Sequence, residues 1–269
     1  MSVITISRGT FSGGKILAEC IAQQLDYRCI DRDVIVERAA ASGISQEELL
    51  NALVKPPGFL DRFGHRKYMY LALIQAALAE EVRTCKAVYH GNAGHLLLKG
   101  AGPVLRIRII APLEFRIEMC QQRLKLSRAE AIAYIEKVDQ DRRKWTHYLY
   151  GVDWGDPALY DLVLNLETIT VNDACNIVAA AARQKSFEFR EECRASMNEF
   201  ALACRVKAQL ALEAATSHLE VETSSQAGVV SIAGRVASIE EIDEVRRVAG
   251  AVPGVAGVTL EELSLSSRP

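Results

Sequence analysis

Near its start the chain carries an apolar run, Val3-Ile4-Thr5-Ile6-Ser7-Arg8, that leads through Gly9-Thr10-Phe11-Ser12-Gly13-Gly14-Lys15 into a segment whose Leu17, Ile21 and Leu25 recur every four residues. This pattern is a strand, a glycine-bearing loop and a helix. Gly9 and Gly14-Lys15 stand at the spacing of the phosphate-binding loop G-x-x-x-x-G-K-[ST]. In that loop glycines let backbone N–H groups close on phosphate oxygens, the helix N-terminus favours the anion, and lysine brings a mobile charge to the outer phosphates. Gly9, Thr10, Phe11, Ser12, Gly13, Gly14, Lys15 and Ile16 are therefore the candidate cofactor-binding residues. Ile16 occupies the place of the hydroxyl residue that would hold Mg²⁺.

Downstream the same alternation repeats, which argues for a parallel, doubly wound α/β sheet. Tyr27 to Ile30 reads as a second strand ending at Asp31-Arg32-Asp33, where either acid can cap the following helix or serve a ligand or Mg²⁺. Ser45 with Glu48 makes a capping box ahead of another short helix, which Lys55-Pro56-Pro57-Gly58 breaks. The stretch from Val34 to about Arg66 reads as a flap over a substrate, with a basic cluster at Arg62, His65, Arg66 and Lys67. A long alanine-rich helix from Tyr68 leads into a third strand, Ala87 to His90, and the turn Gly91-Asn92-Ala93-Gly94-His95 forms a further candidate lip. With no cysteine or carboxylate at ligand spacing, His90 and His95 read as ordinary polar or partly buried histidines. Val104 to Ile110, with Arg106 and Arg108, is a fourth strand. The helix begun by Ala111-Pro112 is expected to bury Leu113, Ile117, Cys120 and Leu124. Ser127 and Glu130 box the next helix, which carries Asp139, Arg142 and Arg143 on a shared face. Those three are either an intrahelical ion pair or arginines that close over transferring phosphates. Tyr160 to Asn165 is a fifth strand, and Val171 to about Arg183 a helix.

Past Lys185 the pattern changes. A charged stretch from Phe187 to Arg194 connects to an amphipathic helix, a hairpin of strands His218–Thr223 and Val229–Val236 about a turn at 224–228, a helix capped by Ser238 and Glu241, and a last strand near Gly254–Leu260. The expected division is a P-loop domain at 1–185, a helical linker at 186–196 and a small αββαβ domain at 197–269. The net charge of −2 supplies no electrostatic footprint for nucleic acid, and no apolar run is long enough to span a membrane. Seven scattered cysteines without a C-x-x-C pair fit small core residues in a reducing cytosol, so a cytoplasmic protein is expected.

Taken together, Ile4-Thr5-Ile6-Ser7-Arg8 with Ser12-Gly13-Gly14-Lys15, Asp31-Arg32-Asp33, His90-Gly91-Asn92-Ala93-Gly94, Arg108 to Arg116, Asp139 with Arg142, and Tyr160 to Asn165 resemble the cytidylate kinase-like family of P-loop nucleoside monophosphate kinases. The likeness covers about residues 1 to 185. Val206-Lys207-Ala208, Gly228 to Gly234 and Val252-Pro253-Gly254-Val255 resemble a BON domain, a small module associated with binding lipids, ions or other proteins. The first resemblance implies ATP- and Mg²⁺-dependent phosphoryl transfer to a nucleoside monophosphate such as CMP. It implies catalytic roles for Lys15, Arg116, Asp139, Arg142 and Arg143, and acceptor contacts from Asp31, Arg32, Asp33, Gly91, Asn92 and Arg108, with Asp31 and Asp33 near the metal. The sequence departs from the family at Asn92, where an arginine usually follows the glycine, and at Ile16. Both departures also fit an inactive nucleotide sensor signalling through the BON-like part, whose small-ligand or protein partner, like homo-oligomerisation, stays open.

Overall fold

The computed structural model describes residues 3–54, 66–187 and 191–265. The expected break at Lys55 to Gly58 and the basic residues Arg62 and His65 lie outside them. The first unit is a five-stranded parallel sheet in the order β2-β3-β1-β4-β5, made by β1 (Val3–Arg8), β2 (Arg28–Asp31), β3 (Ala87–His90), β4 (Val104–Ile110) and β5 (Leu162–Asn165). β1 is central, and the strand order reverses beside it, which opens a crevice at the carboxyl ends of the strands. Ile4 and Ile6 face one layer with Val88, Leu105, Ile107 and Ile109, covered by α1 (Gly14–Leu25) and α8 (Val171–Ala182). The opposite layer holds Ile35, Leu49, Leu53, Ile74, Leu78 and Trp145 from α2 (Arg32–Ala40), α3 (Gln46–Val54), α4 (Arg66–Val82) and α7 (Arg128–Tyr150). Helices on both faces explain why the inner strand is buried along its length.

The capping boxes read from the sequence at Ser45 and Glu48 of α3 and at Ser127 and Glu130 of α7 form, and the structure adds one the sequence reading did not pick out, Thr170 with Asp173 at α8. α5 is a single turn, Gly94–Leu97, set behind the β3 turn. α6 (Leu113–Leu124) differs from expectation. Only Ile117 and Cys120 are buried there, against Ala131 and Ile135 of α7, whereas Leu113 and Leu124 are exposed. The buried face of α6 meets α7 and Phe11 and no strand, so it is narrower than a sheet-covering helix needs.

The stretch read as a connector ends in α9 (Glu191–Leu212), one continuous helix. Its Phe200, Ala201 and Cys204 pack against Ala76 and Ala79 of α4. Beyond it, β6 (Glu222–Gln226) and β7 (Val229–Val236) form an antiparallel hairpin, and α10 (Ile239–Gly250) is capped by Ser238. β8 (Gly257–Thr259) and β9 (Leu263–Leu265) both pair parallel to β7, and β9 is a strand the sequence did not announce. The expected hairpin also shifts. Residues 224–226 belong to β6, and the turn is only Ala227-Gly228, both left-handed at φ 52° and 77°. That is the two-residue geometry whose twist matches the strands.

The two units are tied by Tyr68 in the first turn of α4. Its hydroxyl donates to the Val221 carbonyl at 2.5 Å and accepts the Val221 N–H at 3.0 Å, with Lys207 Nζ 5.3 Å from its ring centroid. Tyr68→Phe leaves both backbone groups of a buried residue without that partner. An expected loss of about 2 kcal/mol would show as a lower urea midpoint at unchanged slope.

Candidate functional site

The site grows from the end of β1. Gly9 N–H closes on the Ile109 carbonyl at 3.3 Å, and Ser12, fully buried, turns its hydroxyl inward to the Gly9 carbonyl at 2.9 Å. These bonds curl the chain so that Gly13, at φ 82°, becomes the N-cap of α1 and offers no side chain to it. The first N–H groups of the helix, on Gly14, Lys15 and Ile16, have no intrahelical partner and make an anion-receptive end. Gly14 is glycine for a local reason: a Cβ there would lie 2.4 Å from Arg8 Cδ. Lys15 is about half exposed and reaches Glu19 at 3.7 Å, a loose pair that leaves its ammonium available to phosphate.

Asp139 fixes this loop from α7. One carboxylate oxygen accepts Thr10 N–H at 3.1 Å and Thr10 Oγ1 at 2.8 Å, and the other takes the Arg116 guanidinium. Arg116 also donates to the Thr10 carbonyl at 2.7 Å and lies against Gly9. Phe11, held at φ 62°, packs beside Tyr134 with ring centroids 6.1 Å apart. Loop and α6–α7 hairpin are thus joined through Asp139, Arg116 and Phe11.

A second layer of positive charge lies under the loop. Arg142 donates to the Arg8 carbonyl at 2.9 Å. Burial, with Arg8 adding repulsion, lowers the Arg142 pKa to about 10, so it remains charged at neutral pH. Arg8 meets His90 Nδ1 at 3.2 Å, and burial followed by the charge of Arg8 pushes His90 down to about 4. The imidazole is therefore neutral and accepts from the guanidinium. Arg32 repels both Arg8 and Arg142, and Arg116 repels Arg142, while Asp31 offsets this at Arg8 and Asp139 at Arg142. Arg8 is the site residue that sequence reasoning missed; the signal was its place at the last position of the central strand, before the glycine.

The other candidates divide. Asp31 sits at the crevice and caps α2, with Oδ1 accepting Asp33 N–H at 2.9 Å and Val34 N–H at 3.0 Å, which leaves Oδ2 outside the cap. Asp33 turns to solvent and pairs with Arg32. Arg143 points away from Asp139 toward Asp153 at 3.8 Å, so the shared face of the sequence reading separates into Arg142 inside and Arg143 outside. Gly91 and Gly94 make room for Tyr89, whose ring would clash with a Cβ at either position. Asn92 donates to the Leu53 carbonyl at 3.1 Å and so ties the β3 turn to α3. Arg108 is held below the crevice, stacked 4.1 Å over Trp154 and donating to its carbonyl at 2.8 Å. Ser7, Arg8, Asn92, Arg142 and Trp154 line a small cavity there.

A parallel sheet with a glycine loop at its central strand, an uncapped helix end and convergent arginines defines an α/β protein of the P-loop kind. The model of the cytidylate kinase-like family matches residues 3–168, and the chain belongs to that family; the BON domain model matches residues 198–261. Cytidylate kinase of Methanocaldococcus jannaschii is 31% identical over 182 residues, 66% of this chain and 96% of that protein. Cytidylate kinase of Pyrococcus abyssi is 27% identical over 180 residues, 66% of this chain and 92% of its own. Among solved structures, an uncharacterized protein from Eubacterium ventriosum aligns with a TM-score of 0.53 and 16% identity, covering 67% of this chain and 97% of that one. Family membership supports nucleotide-dependent phosphoryl transfer as the class of chemistry. Among the described residues no helix is long and apolar enough to cross a membrane.

Proposed function

We propose that residues 1–185 transfer the γ-phosphoryl group of ATP to a nucleoside monophosphate of the CMP kind, and that residues 197–269, joined through 186–196, are a binding unit. The observation that carries this reading is the open N-terminus of α1 beside a loop on which Arg8, Arg116 and Arg142 converge. In such transfers the protein works by holding donor and acceptor in line and by neutralising charge, with no covalent step of its own. The N–H groups from Gly13 to Ile16 and the Lys15 ammonium would hold the ATP phosphates. Arg142 and Arg8 would offset charge on the transferring group, and Asp31 and Arg32 would meet the acceptor. Asp139 acts through Arg116 and Thr10 as a positioning residue.

Mg²⁺ fits this donor set in a limited way. It dehydrates reluctantly and is commonly held by one or two carboxylates plus substrate phosphates, and Asp31 has one oxygen outside its cap. Among the described residues no group of three or more His, Cys, Asp or Glu could hold a metal ion, so the phosphates and water would complete the shell. Bound there, the ion would neutralise phosphate charge.

ADP production measured against a panel of nucleoside monophosphates should depend on the acceptor and be largest with a cytosine nucleotide. A second reading rests on Ile16, which is 52% exposed in the first turn of α1 and brings no hydroxyl, and on Asn92, engaged with Leu53. If calorimetry finds ATP bound while no acceptor raises ADP release, the chain is a nucleotide sensor and the transferase reading falls.

A further inference from the structure

Where the two units meet, helices α4, α9 and α10 leave a cleft of about 460 Å³. Its floor is apolar, made by Ala76, Ala208, Leu212, Val248 and Val252. Alanines at 76 and 208 open the space, since longer side chains at those facing positions would fill the gap between α4 and α9. The volume falls within the range of small-molecule sites, which combine an apolar wall with a few placed polar groups.

The polar groups at this cleft are unequal. Arg247 is engaged, with Glu244 at 2.7 Å and 2.9 Å and Glu213 at 3.7 Å. Arg205 is not comparably engaged. Its Nε is buried and has no hydrogen-bond partner, one terminal nitrogen lies 3.4 Å from the Pro253 carbonyl, and the other stands 3.9 Å from Glu80. Glu80 gives its other oxygen to Arg83 at 3.0 Å, and the oxygen nearer Arg205 is buried without a hydrogen-bond partner, so it meets Arg205 through charge alone. A guanidinium offers five N–H donors in a planar fork matched to an oxyanion, and Arg205 has only long contacts for them. The position is specific to this architecture, because one wall is a helix of the sheet unit and the others are helices of the C-terminal unit.

We propose that this cleft binds a small amphipathic anion, with an apolar body on the alanine, leucine and valine floor and a single carboxylate, sulfonate or phosphate oxygen pair on Arg205. The ligand spans α4 and α9–α10 and so reports on how the two units are docked, separately from the phosphate loop.

The test uses the full chain and 8-anilinonaphthalene-1-sulfonate, an apolar naphthalene and phenyl body with one sulfonate, titrated by fluorescence and calorimetry with and without saturating ATP. The expected result is one saturable site per chain that persists with ATP present. Arg205→Gln should weaken it about tenfold or more. Ala251→Trp, at an exposed position on the rim, should weaken it comparably by covering the mouth, and it decides the matter should Arg205→Gln fail to fold by circular dichroism. Absence of saturable binding, equal affinity in both folded variants, or displacement of the dye by ATP would each overturn the proposal. The last outcome would put the dye in the nucleotide crevice.

Discussion

Lys15→Ala should lower acceptor-dependent ADP formation by about 10³-fold, the scale on which removing one aimed charge or donor acts in a water-excluded site. The fold should be nearly unaffected. Lys15 is about half exposed, and its contact with Glu19 at 3.7 Å is a surface pair one helical turn apart, an arrangement that contributes a few tenths of a kcal/mol. Thermal melting and circular dichroism should therefore match the parent while turnover collapses. Calorimetry should show ATP still bound, more weakly, because the N–H groups at the start of α1 are backbone and survive the substitution. Undiminished turnover in this variant would remove Lys15, and with it the loop, from the chemistry.

The parallel sheet and most helix starts were legible because they rest on local patterns: period-four apolar residues in α1 and Ser/Glu pairs at α3 and α7. The turn of residues 9–15 into the N-terminus of α1 was legible for the same reason, since it is made by contiguous residues. What the sequence hid depends on contacts between distant residues. Arg8 matters through His90 and Arg142, which lie 82 and 134 positions away. Arg142 and Arg143 are adjacent in sequence and were read alike, yet only the first turns toward β1, because which of two neighbours faces the sheet depends on how α7 is rotated against it. Arg108 read as a ligand residue from its place in a motif, but β4 aims it at Trp154, a partner no pattern indicated. In the hairpin, β6 reads Glu-Thr-Ser-Ser-Gln with no apolar member, so its strand character comes from pairing with β7 and not from periodicity.

Asp139→Ala is expected to have the second largest effect, and it separates positioning from charge. The carboxylate joins four groups: Thr10 N–H, Thr10 hydroxyl, Arg116 at one oxygen, and Arg142 at 3.9 Å. Its side chain is 21% exposed and that of Arg116 15%, so the pair is largely withdrawn from water. Removing one partner of a buried pair costs about 3–5 kcal/mol when desolvation is complete. Partial exposure here brings the expected loss nearer about 2 kcal/mol, read as a lower denaturation midpoint. Activity should fall further than stability predicts, because Arg116 then loses the anchor that holds it on Gly9 and the loop loses its tie to α7. Asp139→Asn discriminates the causes. An amide keeps an acceptor for Thr10 but offers no charge to Arg116 or Arg142, so it should recover part of the stability while turnover stays low. If Asp139→Asn instead restores full turnover, the charge of Asp139 is dispensable and its hydrogen bond to Thr10 alone sets the loop. If both variants melt like the parent, the clamp carries no stability and the loop is held by the Ser12 and Gly9 backbone bonds.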